Sequence, residues 1–109
     1  MRAWIACSAV AALASPALQA PAAAGAAPRT VTIVVDDLKF TAAPPLHVGE
    51  RVRWVNKDIF RHSATAADHS FDVDLPPGGQ GGIVLKRPGV IAYSCRYHPD
   101  MKGRLVVAP

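Results

Sequence analysis

The chain has 109 residues, 50% of them hydrophobic, and a formal net charge of +4. That length suits one small domain and leaves no room for two. Its basic residues alternate with apolar ones instead of clustering with aromatics, which argues against a nucleic-acid surface, and no segment supplies the about 20 apolar residues of a membrane span.

Residues 1–27 are read as an export signal with a low-complexity Ala/Pro lead-in, and residues 28–109 as the domain. Arg2 provides a short positive region and "AWIACSAVAALA" (Ala3 to Ala14) an apolar one. Small residues follow, with cleavage expected between Ala17 and Ala27. The apolar run breaks at Ser15-Pro16, too early for a spanning helix. Cys7 lies in the part expected to be removed, which leaves Cys95 without a partner in an exported, oxidising setting. An unpaired cysteine there needs either a buried packing role or a chemical one.

From Arg29 onward, short β-branched and aromatic runs alternate with turn signals. In chain order they are "TVTIVV" (30–35), "PLHVGE" (45–50), "RVRWVN" (51–56), "HSATA" (62–66), "SFDVDL" (70–75), "GGIVLK" (81–86), "VIAYSC" (90–95) and "GRLVV" (103–107). In "RVRWVN", Val52 and Trp54 share one side and Arg51 and Arg53 the other, the pattern of a half-buried antiparallel strand. Ile91, Tyr93 and Cys95 likewise share a face, so Cys95 points with the core. No stretch holds a helical period, and Pro44-Pro45, Pro76-Pro77 and Pro88 would interrupt one. The expected fold is all-β, a sandwich or small barrel of about seven or eight strands. Without a disulfide, so small a core gains from a bound metal.

Cys95, His98 and Met101 follow at intervals of three in "YSCRYHPDMKG" (93–103). A strand alternates with period two, so they converge only if the strand ends at Cys95 and a tight loop, stiffened by Pro99, carries the other two round one point. Thiolate, imidazole and thioether form a soft to borderline donor set unsuited to calcium or magnesium. Copper would want one more strong donor. His62, opening a strand-like run, is the favoured source; His47 in "PLHVGE" and His69 in the polar "AADHS" are read as surface residues. His62, Cys95 and His98 in a plane, with Met101 as a long axial donor, is the blue-copper electron-transfer arrangement. Four filled positions leave none open for a substrate, which an enzyme would need.

These residues resemble a cupredoxin, and the short Cys-x-x-His-x-x-Met spacing is more similar to amicyanin than to plastocyanin, whose ligand loop is longer. The likeness runs over most of Val31 to Val107: "DLKFTAAPPLHVGERVRWVNKD" resembles the family's early strands, "RHSATA" its first-histidine strand and "GVIAYSCRYHPDMKGRLVV" its last hairpin. The resemblance implies a Greek-key β-sandwich, a periplasmic location, and one copper ion per chain cycling between Cu(I) and Cu(II). It further implies single electrons carried between redox partners such as methylamine dehydrogenase and a c-type cytochrome. A monomer is expected, docking weakly through an apolar patch near His98. Candidates for that patch are Pro45, Leu46, Pro99 and Phe60, rimmed by Lys57, Arg61, Arg96 and Lys102 to steer an acidic partner.

The chain departs from the pattern at three positions. Arg61 precedes His62 where many relatives have proline. Ser63 stands where an asparagine often ties the ligand segments together, a task its hydroxyl can take over. Asp100 places a carboxylate beside the ligand loop. Hydrogen bonds and charge at such positions tune a metal's potential. The competing functions are a copper carrier or homeostasis protein, which would want exchangeable methionine or histidine clusters, and a Cys95–His98 nucleophile pair, which has no third orienting group. "GGQGG" (78–82) lacks the lysine and helix of a phosphate loop, and zinc at Cys95 and two histidines is a chemical alternative to copper.

Overall fold

The computed structural model describes residues 1, 3, 4, 6, 8–16 and 28–109. Arg2, Cys7, the cleavage window 17–27 and most of the lead-in lie outside the described residues. The described part of residues 1–16 forms neither helix nor strand. No described helix is long and apolar enough to cross a membrane.

Nine strands, and no helix, form among the described residues: β1 (Thr30–Asp36), β2 (Lys39–Phe40), β3 (Leu46–His47), β4 (Arg51–Asn56), β5 (His62–Ala66), β6 (Asp72–Leu75), β7 (Gln80–Val84), β8 (Gly89–Ser94) and β9 (Lys102–Ala108). Eight coincide with expected runs. The ninth, β2, is a two-residue strand, too short for an alternation to show. It closes a hairpin on β1 through Asp37 and Leu38, whose φ angles of 51° and 58° are the double left-handed conformation of a tight hairpin turn.

The strands make two sheets, ordered β2-β1-β4-β7 and β3-β9-β8-β5-β6. β4 is antiparallel to β7 but parallel to β1, with Ile33 opposite Trp54. The antiparallel reading of "RVRWVN" therefore holds on one flank only, because side-chain alternation is the same for either direction. Val52 and Trp54 are fully buried while Arg51 and Arg53 face outward. Between the sheets, Ile33, Val35, Leu46, Leu75 and Leu105 join them in one core. An aromatic cluster crosses it: Trp54 meets Phe71 at 5.4 Å and the edge of Tyr93 at 5.5 Å, and Phe40 meets Tyr93 at 4.8 Å between ring centroids. Tyr93 lies over Gly103, its cross-strand partner, where a Cβ would strike the ring. Its hydroxyl is shifted towards a higher pKa by burial.

Two features of this frame place the site. β5 pairs with β8 in antiparallel register, Thr65 opposite Ser94 and Ala66 opposite Tyr93. Continued by one step, that register brings the start of β5 beside the end of β8, where Cys95 follows. β8 and β9 form a long hairpin closed by residues 95–101, so this loop emerges at the same end.

Candidate metal centre

Cys95 continues the inward face of β8 below Tyr93 and is 1% exposed; it is free, and it alone of the cysteines belongs to the described residues. The loop that follows is closed by main-chain bonds. The Met101 N–H donates to the His98 carbonyl, and the Cys95 N–H to the Met101 carbonyl, both at 2.9 Å. A four-residue turn thus returns His98 over Cys95. His62, first residue of β5, is fully buried and arrives from the neighbouring strand.

The ligand atoms of His62, Cys95 and His98 all lie within 4.8 Å of one another. Cys95 Sγ stands 3.6 Å from His62 Nδ1 and 3.6 Å from His98 Nδ1, with the two rings 5.0 Å apart. Nitrogen and sulfur donors bound at about 2.0–2.3 Å to one ion, at angles between tetrahedral and trigonal, stand roughly 3.6–3.8 Å apart. The spacing fits a single ion, and the thiolate with two imidazoles fits copper. Met101 is buried at the end of the loop, 5% exposed, with its main chain bonded to both Cys95 and His98. His47 and His69 take no part: His47 is exposed in β3 with Nδ1 3.4 Å from Glu50, and His69 sits at φ 64° in the turn after β5.

Ser63 ties the two segments. Its Oγ accepts the Arg96 N–H at 2.8 Å, where the β5–β8 ladder runs out. Thr65 donates its hydroxyl to Asp72 (2.9 Å), so Ser63 donates to Thr65 Oγ1 (2.9 Å), and the Arg96 guanidinium closes the ring on the other Asp72 oxygen at 2.8 Å. The circuit fixes the Cys95–Arg96 peptide against β5. The Ser63 hydroxyl thereby makes the tie between the ligand segments that was expected of it.

Asp58, Asn56 and Ile59 escaped the sequence reading. His62 Nε2 lies 3.0 Å from Asp58 Oδ2, and that oxygen also accepts the Leu38 N–H at 3.0 Å. Asp58 Oδ1 accepts the Ile59 N–H. The Leu38 amide first, then the His62 ring, hold the Asp58 carboxyl below its ordinary 3.8. Asn56, 1% exposed, secures this turn: its Nδ2 donates to the carbonyls of Phe60, Leu75 and Pro76, and its Oδ1 accepts the Asp58 N–H. An aspartate four residues before His62 was the available signal, but nothing in the spacing says that its side chain faces the ring.

The surface at this end differs from expectation. Leu46 is fully buried and pairs with Val107, so Pro45-Leu46 lie near the end of β9 remote from Met101, roughly 20 Å away at about 3.3 Å per residue. Phe60, 47% exposed, does meet His98, at 6.0 Å between rings, and Ile59 beside it is 80% exposed. Two of the supposed rim cations are partnered: Arg61 reaches Asp74 (3.9 Å), and Arg96 reaches Asp72 and Asp74. That part of the rim is a mixed ion-pair network rather than a free basic field.

The cupredoxin-like domain family model matches residues 4–107. Among solved structures, a purple cupredoxin from Nitrosopumilus maritimus is similar with a TM-score of 0.61 at 23% identity, over 71% of this chain and 98% of that one. An amicyanin variant in its reduced Cu(I) form at pH 4 is similar with a TM-score of 0.63 at 24% identity, over 78% of this chain and 88% of that one. Both likenesses concern the fold. A copper-containing nitrite reductase from Thermus scotoductus SA-01 reaches a TM-score of 0.69 and 32% identity over 86% of this chain, which spans only 26% of that enzyme. No curated protein matches significantly.

Proposed function

The chain belongs to the cupredoxin-like domain family, and from that premise we propose that it is a small periplasmic blue-copper protein, passing single electrons between redox partners. The observation that carries this reading is the meeting of His62, Cys95 and His98 within 4.8 Å. His62 Nδ1, Cys95 Sγ and His98 Nδ1 would hold one copper ion, with the Met101 thioether as a fourth donor. A copper ion so held supplies a one-electron Cu(I)/Cu(II) couple without large rearrangement of its ligands.

The chain's own residues divide the work. Cys95, buried against Tyr93 and the core, provides the thiolate, the form in which cysteine binds metal. Ser63 and the Arg96 peptide hold the thiolate strand to the histidine strand, so the donor spacing is set before a metal arrives. His98, half-buried, is the imidazole nearest solvent and the exit for the electron. Phe60 against the His98 ring, with its chain neighbour Ile59 and Pro99, which follows His98, offers exposed apolar surface on which a dehydrogenase or c-type cytochrome docks weakly. Export follows from the signal-like residues 1–27, and residues 28–109 form the functional domain.

Against a copper carrier stands the burial of the donors: only His98 of the three reaches the surface, which suits retention over exchange. Four protein donors also leave no open position of the kind catalysis needs, so the domain is not an enzyme. The test is electron paramagnetic resonance of the copper-loaded mature protein, with a chelator challenge. Narrow hyperfine splitting, intense blue or purple colour and slow loss of metal are expected. Wide splitting with rapid loss overturns the electron-carrier reading in favour of the carrier.

A further inference from the structure

Asp58 is an acidic side chain placed one imidazole away from the three donors. It is not a donor itself, since its Oδ2 lies on the far nitrogen of His62. The pair is shielded from water, with the His62 side chain 0% and the Asp58 side chain 9% exposed. It is also built in advance. The left-handed turn at Asp37-Leu38 aims the Leu38 N–H at the same Asp58 oxygen, the Ile59 N–H holds the other, and the Asn56 side chain fastens the peptide on either side. Leu38 holds φ 58°, a left-handed conformation unfavourable for a residue with a branched side chain, so this placement is maintained against strain.

Two consequences follow. A carboxylate accepts only, so the hydrogen of the His62 ring sits on Nε2 and the Nδ1 lone pair faces Cys95 and His98. A fixed negative charge across a buried imidazole also makes that ring a stronger donor and favours the more positive state of any ion it binds.

We infer that Asp58 is a positioning residue of the metal centre, holding His62 as the Nε2–H tautomer and, by its charge, setting the copper couple at a lower potential than a neutral partner would. The inference rests on the copper reading above and adds a determinant that the four ligands do not contain. Reduction of a copper ion held there would take one electron from a reduced redox protein, Cu(II) becoming Cu(I). No proton moves on the pair: Nε2 keeps its hydrogen and Asp58 its charge.

The experiment has a metal-free and a copper-loaded arm, both on the mature protein. In the metal-free arm, nitrogen-15 NMR of the imidazoles is expected to show His62 as Nε2–H in the wild type and in Asp58→Asn, whose amide oxygen still accepts, and a tautomer mixture in Asp58→Ala. An Nδ1–H His62 in the wild type overturns the positioning role. In the copper arm, voltammetry is expected to show a more positive potential for Asp58→Asn. Asp68→Asn, the same charge change at the other end of β5, should leave the potential unmoved. Chelator competition should show copper held 10–100-fold more weakly by Asp58→Ala. Equal potentials for the wild type and Asp58→Asn overturn the charge role while leaving the ligand set standing. A wild type without a thiolate-to-copper band overturns the electron-carrier reading and the charge role with it, and the tautomer arm still decides the positioning role.

Discussion

The two imidazoles of the candidate centre sit in opposite surroundings. His62 belongs to a strand, has no exposed surface and has its second nitrogen held by a carboxylate. His98 belongs to a four-residue turn, is half-buried, and has as its aromatic neighbours His62 and the exposed Phe60. The difference teaches a division of labour within one donor set. The strand side supplies fixed geometry and charge, which need burial to be effective. The loop side supplies access, which burial would abolish.

Removing the bridge between the halves should have the largest effect. Cys95→Ser is expected to abolish the charge-transfer colour, read by visible absorption of the copper-loaded protein; a variant that stays blue refutes the ligand set. Next, metal-free stability should separate the halves. His62→Ala opens a cavity and strands Asp58, for a loss of about 2–4 kcal/mol in urea unfolding, whereas His98→Ala should fall within about 0.5–1 kcal/mol. Equal losses would erase the asymmetry. Ser63→Ala breaks the Arg96–Ser63–Thr65–Asp72 circuit and leaves a main-chain N–H without its acceptor, a cost of about 1–3 kcal/mol accompanied by a broadened copper spectrum.

Two smaller effects sharpen the contrast. Met101→Gln should keep copper and lower the potential, because an amide oxygen is harder than a thioether and favours Cu(II); voltammetry reads it. Acid should also act at a site away from the centre. The Arg29 guanidinium holds the Glu50 carboxyl below its ordinary 4.5. A depressed folded value means that the stabilisation is complete above 4.5 and is lost as the pH falls through the folded value. Glu50→Gln should therefore flatten the stability profile below about 4.5 while leaving the copper spectrum at neutral pH unchanged.

Legibility differed by element in a physically sensible way. β4 carries the bounds that alternation and β-branching imply, since it has one apolar face against the core, and β5 keeps its expected bounds although it is buried on both faces. β2 escaped because two residues contain no period, and the parallel partner of β4 escaped because pairing direction leaves no trace in alternation. Pro45-Leu46 stand among the patch candidates that the resemblance implies, yet Leu46 fills the core, because which apolar residue of a short strand turns inward is decided by the pairing of β3 with β9. Ser63 was legible as a tie, since it directly follows a candidate ligand. Asp58 was not, because its orientation depends on a turn some 20 residues earlier in the chain.

The amino-acid sequence alone determined an all-β chain, and it singled out a cysteine, a histidine and a methionine at intervals that a strand followed by a tight loop can bring together. Those properties are local, arising from side-chain alternation, proline and the chemistry of the donors. The tertiary structure decided which distant groups meet them: His62 across the β5–β8 register, Ser63 on the Arg96 peptide and Asp58 behind the buried ring. Such contacts depend on the packing of two sheets and on hydrogen bonds that gain strength when water is excluded, and no window along the chain contains either.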